Sequence, residues 1–103
     1  MTKLWIDDVR KPTLDWLWVK TYEEAIAALN QEIFSVVSFD HDLGEYFSGY
    51  DVLCWIESEV FWGNQTFQAT EFRIHSANPV GRLKMQLAIA SIRLHTLQPR
   101  DSS

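Results

Sequence analysis

Four short runs of apolar and β-branched residues alternate along this chain with helix-forming segments, and three of the four end in acids or histidine. Leu4-Trp5-Ile6 runs into Asp7-Asp8, and Phe34 to Phe39 runs into Asp40-His41-Asp42. Phe72-Arg73-Ile74-His75 runs into Ser76, and the remaining run is Trp16-Leu17-Trp18-Val19. Strand signals of this length separated by helix signals specify an α/β sheet rather than a bundle or a sandwich. Ligands of open α/β sheets bind outside the carboxyl ends of the strands, which is where these polar clusters fall.

The helix signals are equally local. Thr21-Tyr22-Glu23-Glu24 reads as a capping box, followed by an apolar face of Tyr22, Ile26 and Leu29. Ser48 precedes a second helix with Val52, Ile56 and Val60 spaced by four. Asn78 caps a last helix that has Pro79 at its first position, and Leu83, Leu87, Ala90 and Leu94 supply its expected apolar stripe. The link from the first run to the second spans Asp7 to Asp15 and contains Pro12, which is short for a parallel crossover. The expectation is an irregular loop in that position, with an antiparallel edge strand as the alternative.

With 103 residues, 47% of them apolar, the chain suits one domain, expected over residues 1–98, with 99–103 as a frayed tail. A single cysteine, Cys54, leaves no internal disulfide and fits a reducing compartment. No signal-peptide core and no membrane-length apolar run is present, so a cytoplasmic location without membrane contact is expected. The formal charge of −5 argues against a broad phosphate-backbone footprint on duplex nucleic acid. The partner class it leaves is a small phosphoester, a nucleotide or an RNA end.

Convergence of these clusters has chemical consequences. Two carboxylates ~4 Å apart repel by about 4 kcal/mol at an effective dielectric near 20, so they share a proton, spread or bind a cation. Asp7, Asp8, Asp40 and Asp42 are candidate ligands for Mg²⁺ or Mn²⁺, which favour oxygen donors and bridge to phosphate. The last helix begins beside the same edge, so Asn78, Gly81, Arg82 and, from the first loop, Arg10 are candidate phosphate contacts. Asp40, His41, His75 and Ser76 are the candidate catalytic residues, the histidines as proton carriers. Trp16 and Trp18 share a strand face, where they either pack or stack a base.

The segments LWIDDVR at 4–10, FDHDLGE at 39–45 and HSANPVG at 75–81 together resemble the cyclic-phosphate processing receiver domain family, from residue 4 to about residue 90. The resemblance implies a truncated receiver-like, flavodoxin-like three-layer domain of about four mainly parallel strands and three helices. It also implies an acidic pair at Asp7 and Asp8, an aspartate at Asp40, a hydroxyl at Ser76, and action on cyclic phosphates, including 2′,3′-cyclic ends of RNA. Two departures from ordinary receivers stand out: the Val9 to Asp15 loop replaces a helix, and no fifth strand with its lysine follows Ser76. The second departure weighs against phospho-relay, leaving a metal-dependent cyclic phosphoesterase as the leading expectation. A phospho-acceptor module and a non-catalytic cyclic-nucleotide binder are the alternatives.

Overall fold

A computed structural model of the chain describes residues 2–44 and 46–97. The elements are β1 (Lys3–Ile6), β2 (Trp16–Val19), α1 (Tyr22–Gln31), β3 (Val36–Phe39), α2 (Gly49–Phe61), β4 (Glu71–Ile74) and α3 (Pro79–Leu97). The tail expected at 99–103 lies outside the described residues. All four strands pair in parallel in the order β2-β1-β3-β4. The Asp7 to Asp15 connection is therefore an irregular parallel crossover, as expected. The receiver-like α/β domain with four parallel strands and three helices holds. Among the described residues no helix is long and apolar enough to cross a membrane.

Strand order decides the layering. The chain moves in the same direction from β2 to β3 and from β3 to β4, so right-handed crossovers place α1 and α2 on one face. The third helix packs against α2 on that same side. Side chains of one parity, Leu4, Ile6, Val19, Val37, Phe39 and Phe72, join the helices in the main core. The opposite parity carries Lys3, Trp16, Val36 and Glu71 in one register row, and Trp5, Trp18, Ser38 and Arg73 in the next. On this face the third layer is built of indoles and loop rather than helix: Trp5 Nε1 donates to the Arg10 carbonyl, which draws the first loop over the sheet.

Local chemistry explains the helix starts. The Thr21 hydroxyl accepts from the Glu24 N–H, while the Glu24 carboxylate reaches one residue past the cap to the Lys20 N–H. Ser48 and Asp51 form a complete reciprocal box. In α2 the expected Val52, Ile56 and Val60 are buried together with Leu53.

The stripe expected for α3 is corrected. Leu83, Leu87 and Leu94 are 58%, 64% and 58% exposed, and Ala90 also faces solvent. The buried line is Gly81, Met85, Ala88 and Ile92. Both lines keep helical spacing, and close approach selects the smaller one: a Cβ on Gly81 would overlap the His41 ring. Met85→Ala should accordingly cost ~2–5 kcal/mol in urea denaturation, whereas Leu87→Ala should stay within ~0.5 kcal/mol of wild type. Equal costs would restore the leucine stripe to the core.

Candidate functional site

Asp7 follows directly on β1 and is 1% exposed. Its Oδ1 accepts the N–H groups of Val9 at 2.9 Å and Arg10 at 2.7 Å, so the carboxylate shapes the turn that leaves the strand. Its Oδ2 lies 3.0 Å from His75 Nε2. Three of roughly four lone-pair sites on this carboxylate are thus occupied, and its position is set before any ligand arrives.

His75 continues from β4, its N–H donating to the Phe39 carbonyl at 2.9 Å. The ring lies flat on Trp5, with centroids 3.8 Å apart and planes 4° apart. Its Nδ1 is 2.7 Å from Ser38 Oγ. An ionised Asp7 only accepts, so Nε2 carries the proton and the Ser38 hydroxyl donates to Nδ1; the network assigns this tautomer. Burial lowers the His75 pKa from its usual 6.5, opposed by its hydrogen bond to Asp7 and the charges of Asp7 and Asp40. Both ring nitrogens are engaged, so the ring holds Asp7 in place.

Asp40 ends β3 beside Asp7. Its Oδ1 accepts the His41 N–H at 2.9 Å. Gly49, the first residue of α2, abuts the Asp40 carbonyl so closely that a Cβ there would overlap the oxygen. Burial raises the Asp40 pKa above its usual 3.8, and the charge of Asp7 adds to the rise; the His41 N–H, His75 and Arg10 oppose it. One carboxylate oxygen from each of Asp7, Asp8 and Asp40 lies within 4.8 Å of the others. Two ligands across one ion stand ~4.2–5.2 Å apart at bond lengths of ~2.1–2.6 Å, so the spacing and the all-oxygen donor set fit a hard divalent cation.

Asp42 stands apart from this trio. Its side chain is 74% exposed and its Oδ1 lies 3.1 Å from His41 Nδ1. The His41 ring rests on Gly81 in the first turn of α3. Among the described residues His41 Nε2 has no hydrogen-bond partner, so the Asp42–His41 pair leaves one ring nitrogen available for proton transfer.

The catalytic candidate Ser76 and the phosphate candidates divide. Ser76 is buried and its Oγ accepts the Asn78 N–H at 3.1 Å. Asn78 caps α3 as expected, its Oδ1 accepting from Val80 and Gly81, both at 3.1 Å. That cap occupies N–H groups that an anion would otherwise meet. Arg82 Nη1 donates to the Ile74 and Ser76 carbonyls at 3.3 and 3.0 Å, bracing the loop between β4 and α3. Arg10 is exposed and its Nη1 donates to the His75 carbonyl at 2.9 Å, tying the first loop to the last strand.

Sequence reasoning missed Ser38, Trp5 and Gly49. Strand parity points to the first two: Ser38 and Trp5 lie two residues before Asp40 and Asp7 and so share their face. No such signal marks Gly49, whose partner is a backbone carbonyl nine positions earlier.

A family model described as the cyclic-phosphate processing receiver domain matches residues 2–91. No curated protein and no solved structure matches the chain.

Proposed function

The chain belongs to the cyclic-phosphate processing receiver domain family, and on that premise we propose that it is a phosphoesterase that hydrolyses cyclic phosphates with a divalent ion held at Asp7, Asp8 and Asp40. The observation that carries the reading is the approach of one carboxylate oxygen from each of these three aspartates to within 4.8 Å of the others. Mg²⁺ or Mn²⁺ bound there supplies positive charge against the phosphoryl oxygens. The residues of the chain do the rest. Asp42 holds the Nδ1–H of His41, leaving Nε2 to take a proton from the attacking water. Water adds to phosphorus, one ring P–O bond breaks, and the departing oxygen collects a proton to become a hydroxyl, leaving a phosphomonoester. Arg10 orients the phosphate at the mouth of the site. Ser76, Asn78 and Arg82 keep the loop between β4 and α3 in shape.

Incubation with nucleoside 2′,3′-cyclic phosphates, with and without Mg²⁺, Mn²⁺ or a chelator, tests the reading. Phosphomonoester release that a chelator stops is expected. Intact ligand recovered after tight binding would make the chain a binding module. Labelling of Asp40 by acetyl phosphate without turnover would make it a phospho-acceptor.

A further inference from the structure

The three indoles on the sheet face that lacks helices are not equivalent. Trp5 is half-buried and has its partners already, with His75 flat against it and Trp16 edge-on at 5.4 Å. Trp16 sits in register with Lys3 at the far end of the strands, and Lys3 is itself paired with Asp15. Trp18 sits in register with Trp5, two residues nearer the carboxyl edge. Its Nε1 donates to the Asp7 backbone carbonyl at 2.7 Å. This bond fixes the plane of the ring and anchors it to a residue of the acidic trio. Over the ring stands Lys20, an exposed side chain whose Nζ is 4.3 Å from the centroid. A solvated lysine stem is a cover that a flat ligand can slide beneath or displace.

We propose that the cyclic phosphate carries a nucleobase, and that Trp18 stacks this base while Lys20 closes over it; the inference rests on the phosphoesterase reading above. A phosphate at the carboxylates and a base on Trp18 are joined through one backbone unit, Asp7, whose side chain serves the first and whose carbonyl orients the second. Stacking reads the π-face and no base edge, so all four bases are accepted, purines ahead of pyrimidines in proportion to their larger area.

The test compares kcat/KM for adenosine 2′,3′-cyclic phosphate and for glycerol 1,2-cyclic phosphate, which has no base. Wild type is expected to favour the nucleotide by ~10-fold or more, the order that one stacked base supplies. Trp18→Leu should shrink that ratio to within ~3-fold, mainly through KM, while Trp16→Leu keeps it. Should Trp18→Leu fold poorly, Trp18→Phe, which keeps an aromatic plane without the Nε1 anchor, should give an intermediate ratio. Equal turnover of both compounds by wild type, or a ratio that survives in Trp18→Leu, overturns the proposal and leaves the phosphoesterase reading standing. If neither compound is turned over, that reading fails, and the Trp18 indole N–H resonance, assigned by its loss in Trp18→Phe, decides on stacking alone. A shift on adding the adenosine compound and none with the glycerol compound supports the platform. No shift with either overturns it.

Discussion

Asp40→Asn is expected to melt ~2–6 °C higher than wild type when both are free of divalent ions, while losing at least ~10-fold in cyclic-phosphate turnover and most of its thermal response to Mn²⁺. The stability gain follows from the site itself. Asp40 is partly desolvated beside the buried Asp7, so its charged form is disfavoured in the fold and its pKa is raised. Between the unfolded value of 3.8 and the raised folded value, the native state holds the extra proton, and stability is lost as pH rises through the folded pKa. An amide carries no charge at any of these pH values and escapes the penalty. The pH profile of the metal-free variant should therefore be flatter on this limb. A bound cation favours the charged carboxylates, so adding Mn²⁺ should stabilise wild type far more than the variant, most clearly near neutral pH. Calorimetry of both proteins with and without Mn²⁺ checks each part. A variant that melts lower than wild type in chelator would mean that Asp40 is held by partners that the repulsion argument omits.

The two histidines should separate cleanly. His41→Ala is expected to lower kcat by ~10²–10⁴-fold, the usual weight of general acid–base assistance, with a melting temperature close to that of wild type. His75→Ala should act the other way round. Its removal unstacks Trp5 and leaves Asp7 Oδ2 and Ser38 Oγ without their partner in a buried place. Each orphaned group costs ~1–3 kcal/mol, so stability and metal affinity should fall before any proton-transfer step is touched. The depressed pKa of His75 also sets a sign: the unfolded chain takes up protons first as pH falls below 6.5, so this ring lowers stability on the acid side, and His75→Ala should lack that limb. Turnover per folded molecule and melting temperature, measured on both variants, distinguish the roles. A normal melting temperature with lost turnover in His75→Ala would make it the proton carrier.

Much of this fold is legible in the chain because its signals act over a few residues. Thr21, Ser48 and Asn78 start helices through contacts no more than three positions away, and each is found where the sequence places it. The acids and histidine that end β1, β3 and β4 must share one edge once the strands are parallel, so the location of the site is also readable. Three matters needed the tertiary structure. Periodicity offered α3 two apolar lines of equal spacing, and only contact with His41 and α2 selects Gly81, Met85, Ala88 and Ile92 for burial. Asp42 is as acidic in sequence as Asp40, yet the turn after β3 sends its carboxylate to His41 and away from the trio. The engagement of both His75 ring nitrogens, on which the proposed division of labour between the histidines rests, depends on partners 37 and 68 positions away, Ser38 and Asp7. Local sequence determines where an element begins and which polar groups lie at its end, because caps and strand parity are set by near neighbours. Which lone pair meets which proton is decided by groups that only folding brings together.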